Sequence, residues 1–118
     1  MILADTSVWI EHFRRGDHQL MAALDEGEIL MHPFILGELA CGNFRNRAET
    51  MELLAQLPAT RVATHDEVMS MIDGRALMGR GIGYVDVHLL AASALTADAR
   101  FWTADKRLAA IASTLGLT

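Results

Sequence analysis

Four acidic residues lie at positions along the chain where a carboxylate could do chemistry: Asp5, Glu38, Asp86 and Asp105. Three stand at the predicted ends of elements, and Glu38 lies in an apolar segment, where an unpaired carboxylate is costly. If the fold brings them together, two charges ~4 Å apart repel by roughly 4 kcal/mol at an effective dielectric constant of about 20. Protons or cations must neutralise such a cluster. A hard divalent ion, Mg²⁺ or Mn²⁺, binds carboxylate oxygens together with water and phosphate.

Each acid also has a purely structural interpretation. Asp is a favoured N-cap, which would explain Asp86 and Asp105 at helix starts. Asp5 could be a turn residue, and Glu38 could pair with a nearby arginine. Zinc is disfavoured, because the single cysteine and the five histidines show no paired ligand spacing. All four acids being structural at once is the less economical account.

The first acid follows a short apolar run that is typical of a buried strand. Residues 2–4 are apolar and stop at Asp5, next to a predicted helix. In open α/β sheets, ligands bind beyond the carboxyl ends of the strands, so we expect Asp5 to face a site. Further strands are predicted at 29–32, weakly at 61–63, and at 99–103.

Helical patterns alternate with these strands. We predict helices at 8–13, 18–25, 34–41, 47–57, 65–78, 87–95 and after Asp105. Thr64 and Glu67 form a capping box for the fifth helix. Met21 and Met69 are expected on buried faces. Strands alternating with helices predict a three-layer α/β/α fold with a central, mainly parallel sheet.

Composition limits the classes of protein that fit. A length of 118 residues favours one domain, 1–118. A net charge of −5 argues against a general basic surface for nucleic acid, so any such contact would be local. Cys41 is the only cysteine, and no signal peptide is evident, which together indicate the cytoplasm. No apolar run approaches the roughly 20 residues that span a bilayer, so no membrane association is expected.

Four short motifs carry the acids in a fixed order. They are Asp-Thr-Ser at 5–7, Gly-Glu-Leu at 37–39, Gly-Tyr-Val-Asp at 83–86 and Thr-Ala-Asp-Lys-Arg-Leu at 103–108. Their order and spacing resemble those of the PIN-domain nucleases. In size the chain is most similar to the VapC-type toxins of bacterial toxin–antitoxin pairs. The resemblance covers nearly the whole chain.

This resemblance implies an activity, a cofactor and partners. It implies a Mg²⁺- or Mn²⁺-dependent endoribonuclease, inhibited by a cognate antitoxin protein, acting on RNA and forming a homodimer. Its pattern maps onto Asp5, Glu38, Asp86 and Asp105 as catalytic and metal-binding residues, with Thr6, Ser7 and Thr103 in support. We expect Asp5 to be the central ligand. Asp105 is expected to act directly, or only through a second metal or water.

Other functions are kept or set aside on specific residues. A catalytically inactive scaffold of the same fold, binding RNA or a protein partner, stays open as the alternative. A receiver-like phosphoacceptor expects paired acids after the first strand, and Asp5-Thr6 lacks the pair. A phosphatase with an Asp-x-Asp nucleophile fails at Ser7.

Several further features have both a structural and a functional interpretation. The glycine-rich loop at 79–83 lacks the ending of a P-loop and is read as a flexible approach to Asp86. Trp9 and Phe13, four residues apart, are core residues or line a groove for an antitoxin helix or a second copy of the chain. Lys106 and Arg107 flank Asp105 and could contact RNA phosphates, although a solvated face is the default.

Overall fold

A short parallel sheet places the first and last parts of the chain side by side. The computed structural model describes residues 1–118. Its strands are β1 (Ile2–Ala4), β2 (Ile29–Leu30) and β3 (Arg100–Trp102), in the order β2-β1-β3. Leu3 of β1 pairs with Leu30 on one side and Phe101 on the other, both in parallel. The carboxyl ends of all three strands therefore meet at one edge, and the predicted α/β class with a parallel sheet is confirmed.

The backbone that pairs beside β2 starts two residues earlier in the chain than the strand predicted at 61–63. Met31 makes an isolated parallel bridge with Ala59. The strand predicted at 61–63 is absent, because the backbone that pairs with Met31 belongs to Pro58 and Thr60. The N–H of Arg61 instead donates to the Thr96 hydroxyl.

Seven helices surround the sheet. They are α1 (Thr6–Arg15), α2 (His18–Asp25), α3 (Pro33–Ala40), α4 (Arg47–Ala55), α5 (His65–Gly74), α6 (Tyr84–Leu95) and α7 (Lys106–Thr114). Thr64 and Glu67 form the predicted capping box of α5. That helix ends at Gly74 rather than near Met78, because the chain turns at Ala76, whose φ is +52°.

The core is drawn from every layer of these elements. Leu3 of β1, Ile35 of α3 and Leu90 of α6 have no exposed surface. Trp9 belongs to this core and is 1% exposed. The prediction that Met21 and Met69 are buried is wrong, since 48% and 43% of these residues is exposed. Each directly follows the residue that its helix buries, Leu20 or Val68, and so its side chain points about 100° away from the buried face.

None of these helices has both the length and the apolar character required to cross a membrane.

Candidate functional site

Asp5 stands directly after β1 and is buried, with 6% of its surface exposed. Its Oδ1 accepts from the backbone N–H groups of Ser7 at 3.0 Å and Val8 at 3.4 Å, and from the Ser7 hydroxyl. Its Oδ2 accepts from the Thr103 hydroxyl at 2.6 Å. The carboxylate therefore caps α1 and ties β1 to the end of β3.

Burial dominates the electrostatics of this carboxyl. Burial raises the pKa of Asp5 above its ordinary value, although hydrogen bonds from Ser7, Thr103 and Val8 act in the opposite direction. A buried carboxylate of this kind is stabilised by a nearby cation, which favours its charged form.

Asp105 joins Asp5 through hydroxyl groups. The N–H of Asp105 donates to the Thr103 hydroxyl at 3.1 Å, and the N–H of Ala104 donates to the Ser7 hydroxyl at 3.0 Å. The Asp105 carboxylate accepts from the N–H of Arg107 at 2.9 Å and caps α7, as predicted for a helix start. Two acids at two helix starts are thus linked at the carboxyl edge of the sheet.

Glu38 reaches the same region from α3. The Thr6 hydroxyl, next to Asp5 in the chain, donates to its Oε1 at 2.7 Å. The expectation that Glu38 occupies an apolar face is wrong: α3 buries Ile35 and Leu39, and Glu38 lies on the exposed side between turns. An exposed carboxylate stays hydrated in the folded protein, so its charge carries no burial penalty there.

Asp86 has a hydrogen-bond partner that it does not share with the other three acids. It is not the N-cap of α6, as its position had indicated, but lies in the first turn, where its Oδ2 accepts from the N–H of the N-cap Gly83 at 3.0 Å. No hydrogen bond joins it to Asp5. Its loop does reach the site: a Cβ on Gly81 would lie 2.7 Å from Nη1 of Arg107, two residues beyond Asp105.

The side chains that could bind a metal ion at this site offer only oxygen atoms as ligands. The Thr103 hydroxyl contacts the Asp5 carboxylate and the backbone N–H of Asp105, and the hydroxyl of Thr6, next to Asp5 in the chain, contacts Glu38. The loop before Asp86 lies against Arg107. No three acidic, histidine or cysteine side chains converge closely enough to form a metal cage. Mg²⁺ is commonly bound through one or two carboxylates plus water and substrate phosphate, so these residues fit a hard divalent ion.

A groove of about 330 Å³ opens beside Glu38. We call it the phenylalanine groove; it is lined by Ile10, Phe13, Arg14, Glu38, Leu39, Gly42, Asn43, Phe44 and Arg45. The rings of Phe13 and Phe44 stack in it, 4.5 Å apart and 10° from parallel. Trp9 is buried beneath and does not line it. A larger cavity of about 480 Å³, at the amino ends of β1 and β3, contains none of the four acids.

A histidine cluster that the sequence did not reveal lies near the starts of α3, α5 and α6. The Tyr84 hydroxyl lies 2.8 Å from Nδ1 of His65 and 2.9 Å from Nε2 of His88. His32 is fully buried, and its Nδ1 accepts from the N–H of Phe34, so it caps α3. The position of His32 immediately before Pro33 was the available signal, since proline favours the first turn of a helix.

Burial also sets the ionisation of these imidazoles. Burial, with a smaller repulsion from His88, lowers the pKa of His32 to about 4. Burial, with His65 as the second cause, lowers the pKa of His88. Both rings are therefore neutral near neutral pH.

The family model for the PIN domain matches residues 2–113, a span that contains all three strands and all four acids. This chain belongs to the PIN domain family. The resemblance of its motifs to PIN-domain proteins is thereby confirmed, and so is the fold class it implied.

Curated relatives place the chain more narrowly within the PIN domain family. Ribonuclease VapC32 of Mycobacterium tuberculosis (strain CDC 1551 / Oshkosh) is 47% identical over 117 residues, covering 99% of this chain and 94% of that protein. Ribonuclease VapC32 of Mycobacterium tuberculosis (strain ATCC 25618 / H37Rv) matches to the same extent. The chain is therefore similar to a VapC-type PIN protein along nearly its whole length.

Proposed function

We propose that this chain is an endoribonuclease that acts as the toxin of a toxin–antitoxin pair, working as one PIN domain over residues 1–118. The observation that carries the proposal is the 47% identity to a VapC ribonuclease over 99% of the chain. The nearness of Asp5, Glu38 and Asp105 to one sheet edge also supports it: the Thr103 hydroxyl contacts the Asp5 carboxylate and the backbone N–H of Asp105, and the Thr6 hydroxyl contacts Glu38.

PIN-domain ribonucleases generally use divalent metal ions, and for this chain we propose Mg²⁺, with Mn²⁺ as a substitute. Asp5 and Glu38 would hold the ion, and Asp86 and Asp105 would contribute directly or through water. When bound, such an ion supplies a water of lowered pKa and neutralises negative charge at the phosphate.

The chain's own residues have defined tasks in this scheme. Ser7 and Thr103 fix both oxygens of the Asp5 carboxylate in one orientation. Thr6 of α1 holds Glu38 of α3 through its hydroxyl. Because the hydroxyls are anchored on α1 and at the end of β3, the carboxylates are preorganised before any ligand arrives.

The alternative, an inactive scaffold of the same fold, has one observation in its favour. Asp5 and Asp105 each cap a helix, which is a sufficient structural reason for an acid at those positions. A cleavage assay with matched variants separates the two functions.

The assay measures cleavage of single-stranded RNA with Mg²⁺ or Mn²⁺, with and without EDTA. Asp5→Asn keeps an N-cap of equal quality but removes the charge. We expect it to lower the cleavage rate by roughly a hundredfold or more. The matched control is Asp17→Asn, at the N-cap of α2, which should cleave like the wild type. No metal-dependent cleavage by the wild type would support the scaffold, and equal cleavage by Asp5→Asn and wild type would remove Asp5 from the mechanism.

Partners follow from the same proposal. We propose that a cognate antitoxin occupies the phenylalanine groove, where it would cover Glu38, and that the toxin is a cytoplasmic homodimer. Light scattering on the purified chain measures the oligomeric state, and a monomer at micromolar concentration would contradict the dimer.

A further inference from the structure

Arg107 is an exposed side chain in the first turn of α7 whose guanidinium lies against the glycine-rich loop at 79–83. A Cβ built on Gly81 would be 2.7 Å from its Nη1, 3.0 Å from its Cδ and 3.5 Å from its Cζ. Gly81 also has a φ of +81°, a conformation that favours glycine. The space that the guanidinium occupies therefore exists only because residue 81 has no side chain.

The charge of this guanidinium is not used within the protein. The structure contains one ion pair, between Arg15 and Glu11 on α1. The backbone N–H of Arg107 is bound by Asp105, so the start of α7 is already capped and the side chain is left to face outward. An unpaired cation is thus fixed beside the candidate site in a chain whose net charge is −5.

We propose that Arg107 binds a backbone phosphate of the RNA next to the one that is cleaved, and that Gly81 leaves the room this contact requires. The inference rests on the proposed ribonuclease function. A planar guanidinium with five N–H donors matches two phosphate oxygens at once. An acidic site repels a polyanion unless a local cation attracts it, and Arg107 of α7 supplies that attraction beside the loop that leads to Asp86.

The test is RNA binding across a series of salt concentrations. A fluorescein-labelled single-stranded RNA is titrated by anisotropy in the Asp5→Asn background, which suppresses cleavage. Arg107→Ala should weaken binding roughly tenfold. It should also lower the slope of log K against log salt by about 0.7, the value for one phosphate on a single strand. Arg107→Lys, which keeps the charge but not the fork, should retain the slope and lose part of the affinity.

The matched charge control is Arg61→Ala. The N–H of Arg61 bonds to Thr96 at the carboxyl end of α6, so Arg61 lies roughly 18 Å of helix away from the start of α6. The same loss of one positive charge there should leave both the affinity and the slope close to those of the parent protein.

The role of Gly81 is tested with a second matched pair. Gly79 and Gly81 have similar φ values, +70° and +81°, but nothing lies within 4 Å of a Cβ on Gly79. Both alanine variants carry the backbone strain, and only Gly81→Ala displaces Arg107. We expect weaker RNA binding in Gly81→Ala but not in Gly79→Ala. In the Arg107→Ala background, Gly81→Ala should have no further effect on affinity.

The outcomes separate this inference from the proposed function. If wild type cleaves RNA while folded Arg107→Ala keeps the parental affinity and salt slope, the phosphate contact is wrong and the ribonuclease stands. If Arg107→Ala only melts earlier, with an unchanged slope, Arg107 packs the loop and the inference is overturned. If wild type neither binds nor cleaves RNA, both fail.

Discussion

The Asp5 carboxylate accepts hydrogen bonds from two hydroxyls and two backbone N–H groups. Each of those bonds stabilises the charged form, while burial opposes it and prevails. The hydroxyls of Ser7 and Thr103 are thus electrostatic partners of the acid as well as its supports. Removing one of them changes a chemical property that can be measured.

Thr103→Val tests whether the Thr103 hydroxyl lowers the pKa of Asp5. The change removes the hydroxyl that donates to Oδ2 of Asp5 and keeps the β-branched shape. Because that bond lowers the pKa of Asp5, its loss raises the pKa further, and a higher pH is needed for the carboxylate to ionise. We expect about a tenfold lower kcat/KM and an acidic limb of the pH–rate profile displaced to higher pH.

The control is Thr114→Val, where the lost hydroxyl bonds only to a carbonyl near the end of α7. Its pH profile should match that of the wild type. A profile that also stays in place for Thr103→Val would show that the hydroxyl does not tune Asp5.

At the scale of elements, α3 depends on an unusual cap. The neutral His32 ring accepts from Phe34 through Nδ1, and it is fully buried beside His88. Protonation must occur at Nδ1, since that is the ring nitrogen whose lone pair accepts the bond. Acid would therefore remove the cap and place a charge in the core at the start of the helix that carries Glu38.

Stability should consequently depend on pH through His32. Its pKa is about 4 when folded against 6.5 as the reference, so the stabilisation is fully present above 6.5 and is lost as the pH falls towards 4. As the pH falls from 6.5 to 4, the free energy of unfolding should decrease in both proteins. The decrease should be larger in the wild type than in His32→Asn by on the order of 3 kcal/mol. Denaturant titrations at several pH values measure it.

Asparagine is an efficient cap that does not titrate, so His32→Asn should flatten the pH dependence without unfolding the protein. His18→Asn, at an exposed histidine on α2, is the control and should keep the wild-type slope. Equal pH dependence in His32→Asn and wild type would exclude His32 as the source.

Capping residues and apolar periodicity correctly predicted the elements whose ends depend on these local signals. The bounds of α2 and the N-caps Thr64 and Asp105 follow from a capping residue joined to an apolar period, and the structure has them as predicted. The strand at 61–63 and the burial of Met69 were wrong, because edge pairing and the reach of neighbouring elements decide them. Those are tertiary effects that a local window does not contain.

The candidate site was predictable in composition but not in geometry. Motif order led to Asp5, Glu38, Asp86 and Asp105, and in the structure hydroxyls of Thr6 and Thr103 contact Glu38, Asp5 and the backbone of Asp105. The sequence did not predict that Asp86 bonds to Gly83 apart from the other acids, or that His32 caps α3. Both features depend on tertiary contacts of loops and buried rings. Such contacts are not encoded in the hydrophobic periodicity of the sequence.

At the scale of the whole molecule, the phenylalanine groove, which we propose as the antitoxin surface, contains Glu38 of the acidic site. We predict that Phe13→Asp weakens the complex with the antitoxin at least tenfold, because it places a charge where stacked rings would be covered. The fold should survive, since Phe13 is only half-buried. The same substitution at Trp9 is expected to unfold the chain, as that ring belongs to the core.

Calorimetry with the cognate antitoxin measures the affinity. Met21→Asp, at an exposed apolar residue on α2 outside the groove, is the matched control and should bind normally. If both variants bind alike, the antitoxin uses another surface.

The pairing of β1 with β3 has a consequence for the life of the chain on the ribosome. Asp5 is made 98 residues before Thr103, whose hydroxyl holds its second oxygen and also contacts the backbone of Asp105. Translation must therefore pass Thr103 before the hydrogen-bond arrangement around Asp5 can form. We expect a ribosome-bound chain that stops before that residue to bind no RNA at this site.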